Sequence, residues 1–280
     1  MIYHTFYSLI LALAVLLFFP SCEVKGKQAE KILEKGIELL EQQAQQAVTP
    51  GTSALPEGIE IPVYESSRGG QVIAHTGFTL SYDADFKTPQ WVAWELTAAE
   101  LEGNWPRKNS FSPDPNVRGA KAYHKDYSNS GYDRGHIAPA ADMKWSEEAM
   151  EASFYTSNIC PQNRNLNRGD WKDLEELERE WARVYGAVAI AAGPIYASKR
   201  PERIGAHKVA VPDAFFKVLL VGYPEAPKAY GFVFENKAGS RQLTYYQRSV
   251  DEVEALTEMD FFPLLPDDVE NEIESLTPSF

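Results

Sequence analysis

From residue 61 onward, short apolar runs alternate with stretches of Gly, Pro and Asn. Val72 to His75, Phe78 to Tyr82 and Trp91 to Leu96 predict three strands, with a turn-rich Asp83 to Gln90 before the last, and so an antiparallel meander. Ser146-Glu147-Glu148 predicts a helix running to about Tyr155, with Ser146 as N-cap and two acids suited to the positive end of the helix dipole. From Asp170, the residues Trp171, Leu174, Leu177, Trp181 and Val184 recur at spacings of three and four. That spacing gives a helix with one apolar face, which Gly186 ends. Val188 to Ala192, Phe215 to Val221 and Ala229 to Phe234 read as buried strands, and an acidic helix follows from about Asp267. With no internal repeat in this stretch, the pattern predicts one α+β domain over residues 61–280.

The first 60 residues have a different texture. Residues 1–21 contain no Lys, Arg, Asp or Glu, and Phe6 to Phe19 is almost continuously apolar. A run of about 14 residues is short of the roughly 20 that span a bilayer and fits the apolar core of a signal peptide. Cys22 directly after Ser21 resembles a lipoprotein cleavage site, which predicts a lipid on Cys22 and a cell-envelope or periplasmic/secreted location; plain secretion and an uncleaved anchor are the alternatives. Residues 22–60 are expected to form a spacer, helical over Gln28 to Val48, and a linker broken at Pro50-Gly51 and Pro56-Glu57-Gly58. The only other cysteine, Cys160, is expected to be a small buried apolar residue. Two cysteines, one of them a candidate for lipidation, exclude a disulfide scaffold.

A formal charge of −13 at first argues against a polyanionic ligand. Counted by segment, the objection goes. Residues 1–60 hold 4 Lys against 7 acids and residues 251–280 hold 10 acids and no base, whereas residues 61–250 hold 23 bases against 23 acids. A neutral body can still present a basic groove.

The candidate chemistry lies between residues 133 and 175. His136, behind Asp133-Arg134-Gly135, could serve as a general base, and Asn167, within Asn165-Leu166-Asn167-Arg168-Gly169-Asp170-Trp171, offers a neutral oxygen to a hard divalent cation. Phosphodiester hydrolysis needs a base for water and positive charge for the phosphoryl and leaving oxygens, and this segment contains each type. His75, His124 and His207 are expected to be structural.

Asp133-Arg134-Gly135-His136, Asn158-Ile159-Cys160-Pro161-Gln162, Asn167-Arg168-Gly169-Asp170-Trp171 and Glu175, in that order, resemble the DNA/RNA non-specific endonuclease family of the ββα-metal superfamily. The likeness continues through Ala192 to Tyr196, Val211 to Lys217, Ser249 to Glu254 and Asp260 to Phe262. It implies a central, mainly antiparallel β-sheet flanked by helices, with a ββα-metal active-site motif. It further implies His136 as general base, Asn167 as ligand of Mg²⁺ (Mn²⁺ being the alternative), and Glu175 holding metal-bound water. Arg134 would contact phosphate or such a water, Asn158 and Gln162 would orient His136 or the metal loop, and Arg107 is a candidate for the scissile phosphate. The blander alternative for Arg134 is an ion pair with Asp133 or Glu175.

The activity this implies is sequence-non-specific cleavage of DNA, with RNA as a second substrate left open. Two rival functions are compatible with the same residues: a phosphodiesterase on small nucleotides, and a catalytically silent surface lipoprotein that binds nucleic acid.

Overall fold

The computed structural model describes residues 55–64 and 69–280. The expected signal segment, Cys22 and the spacer helix lie outside the described residues. Among the described residues no helix is long and apolar enough to cross a membrane. The packed body takes in Ile59, which is fully buried, ahead of the boundary expected at 61.

Seven antiparallel strands form the central sheet. They are β1 (Gln71–His75), β2 (Phe78–Asp83), β3 (Thr88–Thr97), β6 (Ala187–Ile195), β7 (Ala214–Val221), β8 (Lys228–Glu235) and β9 (Gln247–Arg248), in the spatial order β9-β8-β7-β6-β3-β2-β1. A separate hairpin pairs β4 (Asp133–His136) with β5 (Ile159–Gln162). The helices are α1 (Glu147–Ser153), α2 (Arg164–Arg168), α3 (Asp170–Tyr185), α4 (Val250–Thr257) and α5 (Asp267–Glu274).

The two-residue period of a strand sorts side chains into two cores. Phe215 and Leu219 of β7 join Trp94, Ile190, Phe232 and the α3 residues Trp171 and Leu174 on one face. Phe216, Val218 and Leu220 point the other way, onto Val250, Val253, Phe261, Phe262 and Ile273. Buried on both faces, the interior strands show no alternation of apolar and polar residues, hence the continuous apolar runs in their sequence.

Two helix expectations need correction. α1 stops at Ser153, two residues before the expected end, although Ser146 does cap it by accepting the Ala149 amide at 3.3 Å. Val184 is 72% exposed, because the apolar face of α3 meets the sheet through Trp171, Leu174 and Trp181 and the last turn runs beyond it. Gly186, with φ +87°, ends that helix in the left-handed region.

Candidate active site

The β4–β5 hairpin, α2 and the start of α3 enclose one side of an open cleft of about 470 Å³. Its walls carry His136, Asn167 and Glu175, together with Arg107, Arg134, Arg168, Lys172 and Arg179. Five basic side chains against two acids, Asp133 and Glu175, make this the basic groove that a neutral body allowed.

His136 ends β4 opposite Ile159. Its ring packs between Phe111, at a centroid distance of 5.4 Å, and Phe154, at 4.9 Å edge-on. Nε2 is enclosed without a hydrogen-bond partner. Burial, aided by the nearby Arg107 charge, pushes the imidazole down to about 3, so the ring is neutral near pH 7.

Asn158 holds the backbone just past this histidine. Its Oδ1 accepts the Ala138 amide and its Nδ2 donates to the Ala138 carbonyl, both at 2.9 Å, with a further bond to the Ser153 carbonyl. It thus acts on the chain that carries His136, with hydrogen bonds to neither the imidazole nor Asn167. Gln162 lies buried beneath Gly135, where an added Cβ would meet its Oε1 at 2.2 Å. Only glycine fits at that crossing of the hairpin.

Asn163 caps α2, accepting the Asn165 and Leu166 amides, and so starts the turn that brings Asn167 into the cleft. Asn167 donates Nδ2 to Asp133 at 3.3 Å. Asp133 also pairs with Arg168 at 2.8 Å and Arg164 at 3.4 Å. Burial works to raise the Asp133 carboxyl, but the Arg168 and Asn167 bonds outweigh it and hold the group below its ordinary value. Glu175, one helical turn further along α3 from Trp171, is half-buried and pushed up to about 7, chiefly by desolvation, while the Lys217 charge opposes the shift.

Arg134 makes neither ion pair considered for it. Its Nη2 donates to the His124 carbonyl at 3.0 Å and to Ser128 Oγ at 3.2 Å, with the guanidinium over Phe111 and Tyr127. Arg107, the candidate for the scissile phosphate, lines the cleft, its guanidinium 5.1 Å from the Phe154 ring centroid. His75 and His207 are held by Asp114 and Asp126, each at 2.9 Å, away from the cleft. Cys160 is free and buried.

Several groups were not read from the sequence. Arg179 lies one turn beyond Glu175 on the same face of α3, a spacing of four that was visible, and its Nη1 donates to Asp142 Oδ1 at 2.9 Å. Behind it Lys217 Nζ, fully buried, donates to Glu178 Oε2 at 2.7 Å, with the Trp171 ring centroid 4.7 Å away. Burial, then Glu178, raise the Asp142 carboxyl well above its ordinary value.

The donors available to a cation are an amide oxygen and a carboxylate, with no sulfur. They fit a hard divalent ion that keeps waters in its shell, and a half-buried carboxylate raised to about 7 gains from such a charge beside it.

The sequence matches the model of the DNA/RNA non-specific endonuclease family over residues 55–268. The chain belongs to that family. Among its relatives in the family are the mitochondrial nuclease EXOG of Xenopus laevis, 37% identical over 216 residues covering 71% of this chain and 60% of that protein, and the mitochondrial nuclease of Saccharomyces cerevisiae, 36% identical over 68% of this chain and 64% of that protein. The chain thus spans about 60% of the length of the first of these relatives. A crystal structure of an EndoG/EndoGI complex, which concerns EndoG inhibition, matches with a TM-score of 0.68 at 28% identity, over 78% of this chain and 95% of that one. The expected fold class, an α+β protein around a mainly antiparallel sheet, is the one observed. The expected export to a cell envelope or periplasm is corrected: the family relatives matched are named as mitochondrial nucleases.

Proposed function

We propose that the protein is a metal-dependent endonuclease that hydrolyses phosphodiester bonds of DNA, and of RNA as well, with little sequence preference. The convergence of His136, Asn167 and Glu175 on one cleft edged by five basic side chains supports this activity most directly.

His136, neutral and lodged in an apolar aromatic cage, takes a proton from an attacking water. With Nε2 sealed from the cleft, Nδ1 is the atom left to accept it. The water oxygen forms its bond to phosphorus as the bond to the leaving oxygen breaks. Asn167 and Glu175 would hold a divalent cation, Mg²⁺ or in its place Mn²⁺, which when bound supplies positive charge to the phosphoryl and leaving oxygens. Asp133 keeps Asn167 oriented through its Nδ2, leaving the amide oxygen for the cation. Arg107, Arg134 and Arg168 bind the phosphate chain on either side, and an anion bound beside His136 offsets the Arg107 charge that depresses its basicity. A backbone-directed grip of this kind carries no base readout, which fits non-specific cleavage.

The test is incubation of the protein with supercoiled plasmid, single-stranded DNA and RNA, with Mg²⁺, with Mn²⁺ and with EDTA. Nicking and linearisation that need the metal and vanish in His136→Ala are expected. Cleavage in EDTA, or full cleavage by His136→Ala, would overturn the assignment.

A further inference from the structure

On the sheet face opposite α3, helices α4 and α5 bring three carboxylates together. Asp251 and Glu254 of α4 and Glu274 of α5 each place one oxygen within 4.8 Å of the others. The arrangement grades from solvent to interior, with Asp251 exposed, Glu254 half-buried and Glu274 only 4% exposed. Glu274 Oε1 is enclosed and accepts no hydrogen bond, so the buried member of the cluster carries a polar atom with nothing to satisfy it. Glu254 is fixed in place, its Oε1 accepting the Phe261 amide at 2.8 Å.

Residues 251–280 contain ten acids and no base, so this segment supplies no cation of its own to its acids. Gathering like charges around an enclosed oxygen is costly unless a proton or a cation sits among them.

We propose that Asp251, Glu254 and Glu274 form a divalent-cation site of the calcium type, separate from the cleft, that clamps α5 onto α4. Oxygen-only donors with one solvent-facing member suit an ion that accepts six to eight ligands in irregular geometry and completes its shell with water, whereas Mg²⁺ demands a near-regular octahedron. The clamp fixes the segment between α4 and α5, which carries Phe261 and Phe262 into the apolar core of that face.

The experiment uses the full chain, stripped with EDTA and titrated with Ca²⁺ alone, reading thermal unfolding and binding heat. One equivalent should bind with Kd on the order of 10⁻⁵–10⁻³ M, and a hundredfold excess over Kd should raise Tm by about 5 °C. Glu274→Gln and Asp251→Asn should each weaken binding at least tenfold and so cut the Tm shift to about half or less at the same Ca²⁺ concentration, while plasmid cleavage in Mg²⁺ is unchanged. Asn167→Ala should keep the shift in full, which separates this site from the cleft. No saturable binding, a shift undiminished in both acid variants, or a shift lost in Asn167→Ala would each overturn the proposal. Should Glu274→Gln fail to fold, Asp251→Asn, altered at an exposed position, decides alone.

Discussion

The two faces of the central sheet, built from alternate residues of the same strands, obey different rules. Toward α4 and α5 strand β7 presents only hydrocarbon, with Phe216, Val218 and Leu220 meeting Val253, Phe261 and Ile273. Toward α3, the same strand places Lys217 between Phe215 and Leu219 and pairs it with Glu178, and Asp142 and Arg179 lie beyond. A buried ion pair is seldom the most stable choice for such a position, since desolving two charges offsets most of their attraction. Its presence one helical turn from Glu175 suits a role in the cleft, where the Lys217 charge opposes the desolvation that raises Glu175. On β7, one face is specified by volume, the other by charge placement.

The contrast can be broken most sharply at His136. His136→Ala should lower the cleavage rate on the order of 10²–10⁴-fold with the fold retained by circular dichroism. Next comes the charged face. Lys217→Met strands Glu178 in the interior and should cost about 3–5 kcal/mol in denaturant unfolding, whereas Lys217→Met with Glu178→Leu should recover most of that stability. If the pair serves the cleft, the double variant remains slow despite being stable; wild-type rates from it would show the pair to be structural only. On the hydrocarbon face Leu220→Ala should cost about 2–5 kcal/mol through the cavity it leaves, with the rate per folded molecule unchanged.

Acid provides a gentler probe. The His136 imidazole is depressed in the folded state, so between about 6.5 and about 3 the unfolded chain binds the extra proton and stability falls as pH falls. Its share is at most about 1.4 kcal/mol per pH unit, absent above pH 7, and should be missing from the pH–stability curve of His136→Ala. The smallest effect is expected at the exposed rim, where Arg168→Gln in a His136→Ala background should weaken DNA binding only modestly and reduce the salt slope by about one.

Long periodic elements were legible in the sequence. The α3 stripe of Trp171, Leu174 and Trp181, the meander and the interior strands follow from spacing alone, because burial imposes those periods. The β4–β5 hairpin was not, since Asp133–His136 is too short to show alternation and its partner lies past α1, joined by a pairing no local pattern announces. Lys217 was hidden for a related reason: inside Phe-Phe-Lys-Val-Leu-Leu it reads as an interruption, and its partner Glu178 is one acid among several on a charged helix, 39 residues away. The candidate site residues came from order and resemblance, whereas Arg168, Lys172 and Arg179 gain their places only once α2 and α3 fold against the hairpin.

Asn158 has a use beyond holding the chain. Because its carboxamide grips both the amide and the carbonyl of Ala138, the Ala138 amide proton can exchange with solvent only when that grip lets go. In heavy water this single proton is therefore a clock for the integrity of the strand end that carries His136, and it can be read with no substrate, metal or label present.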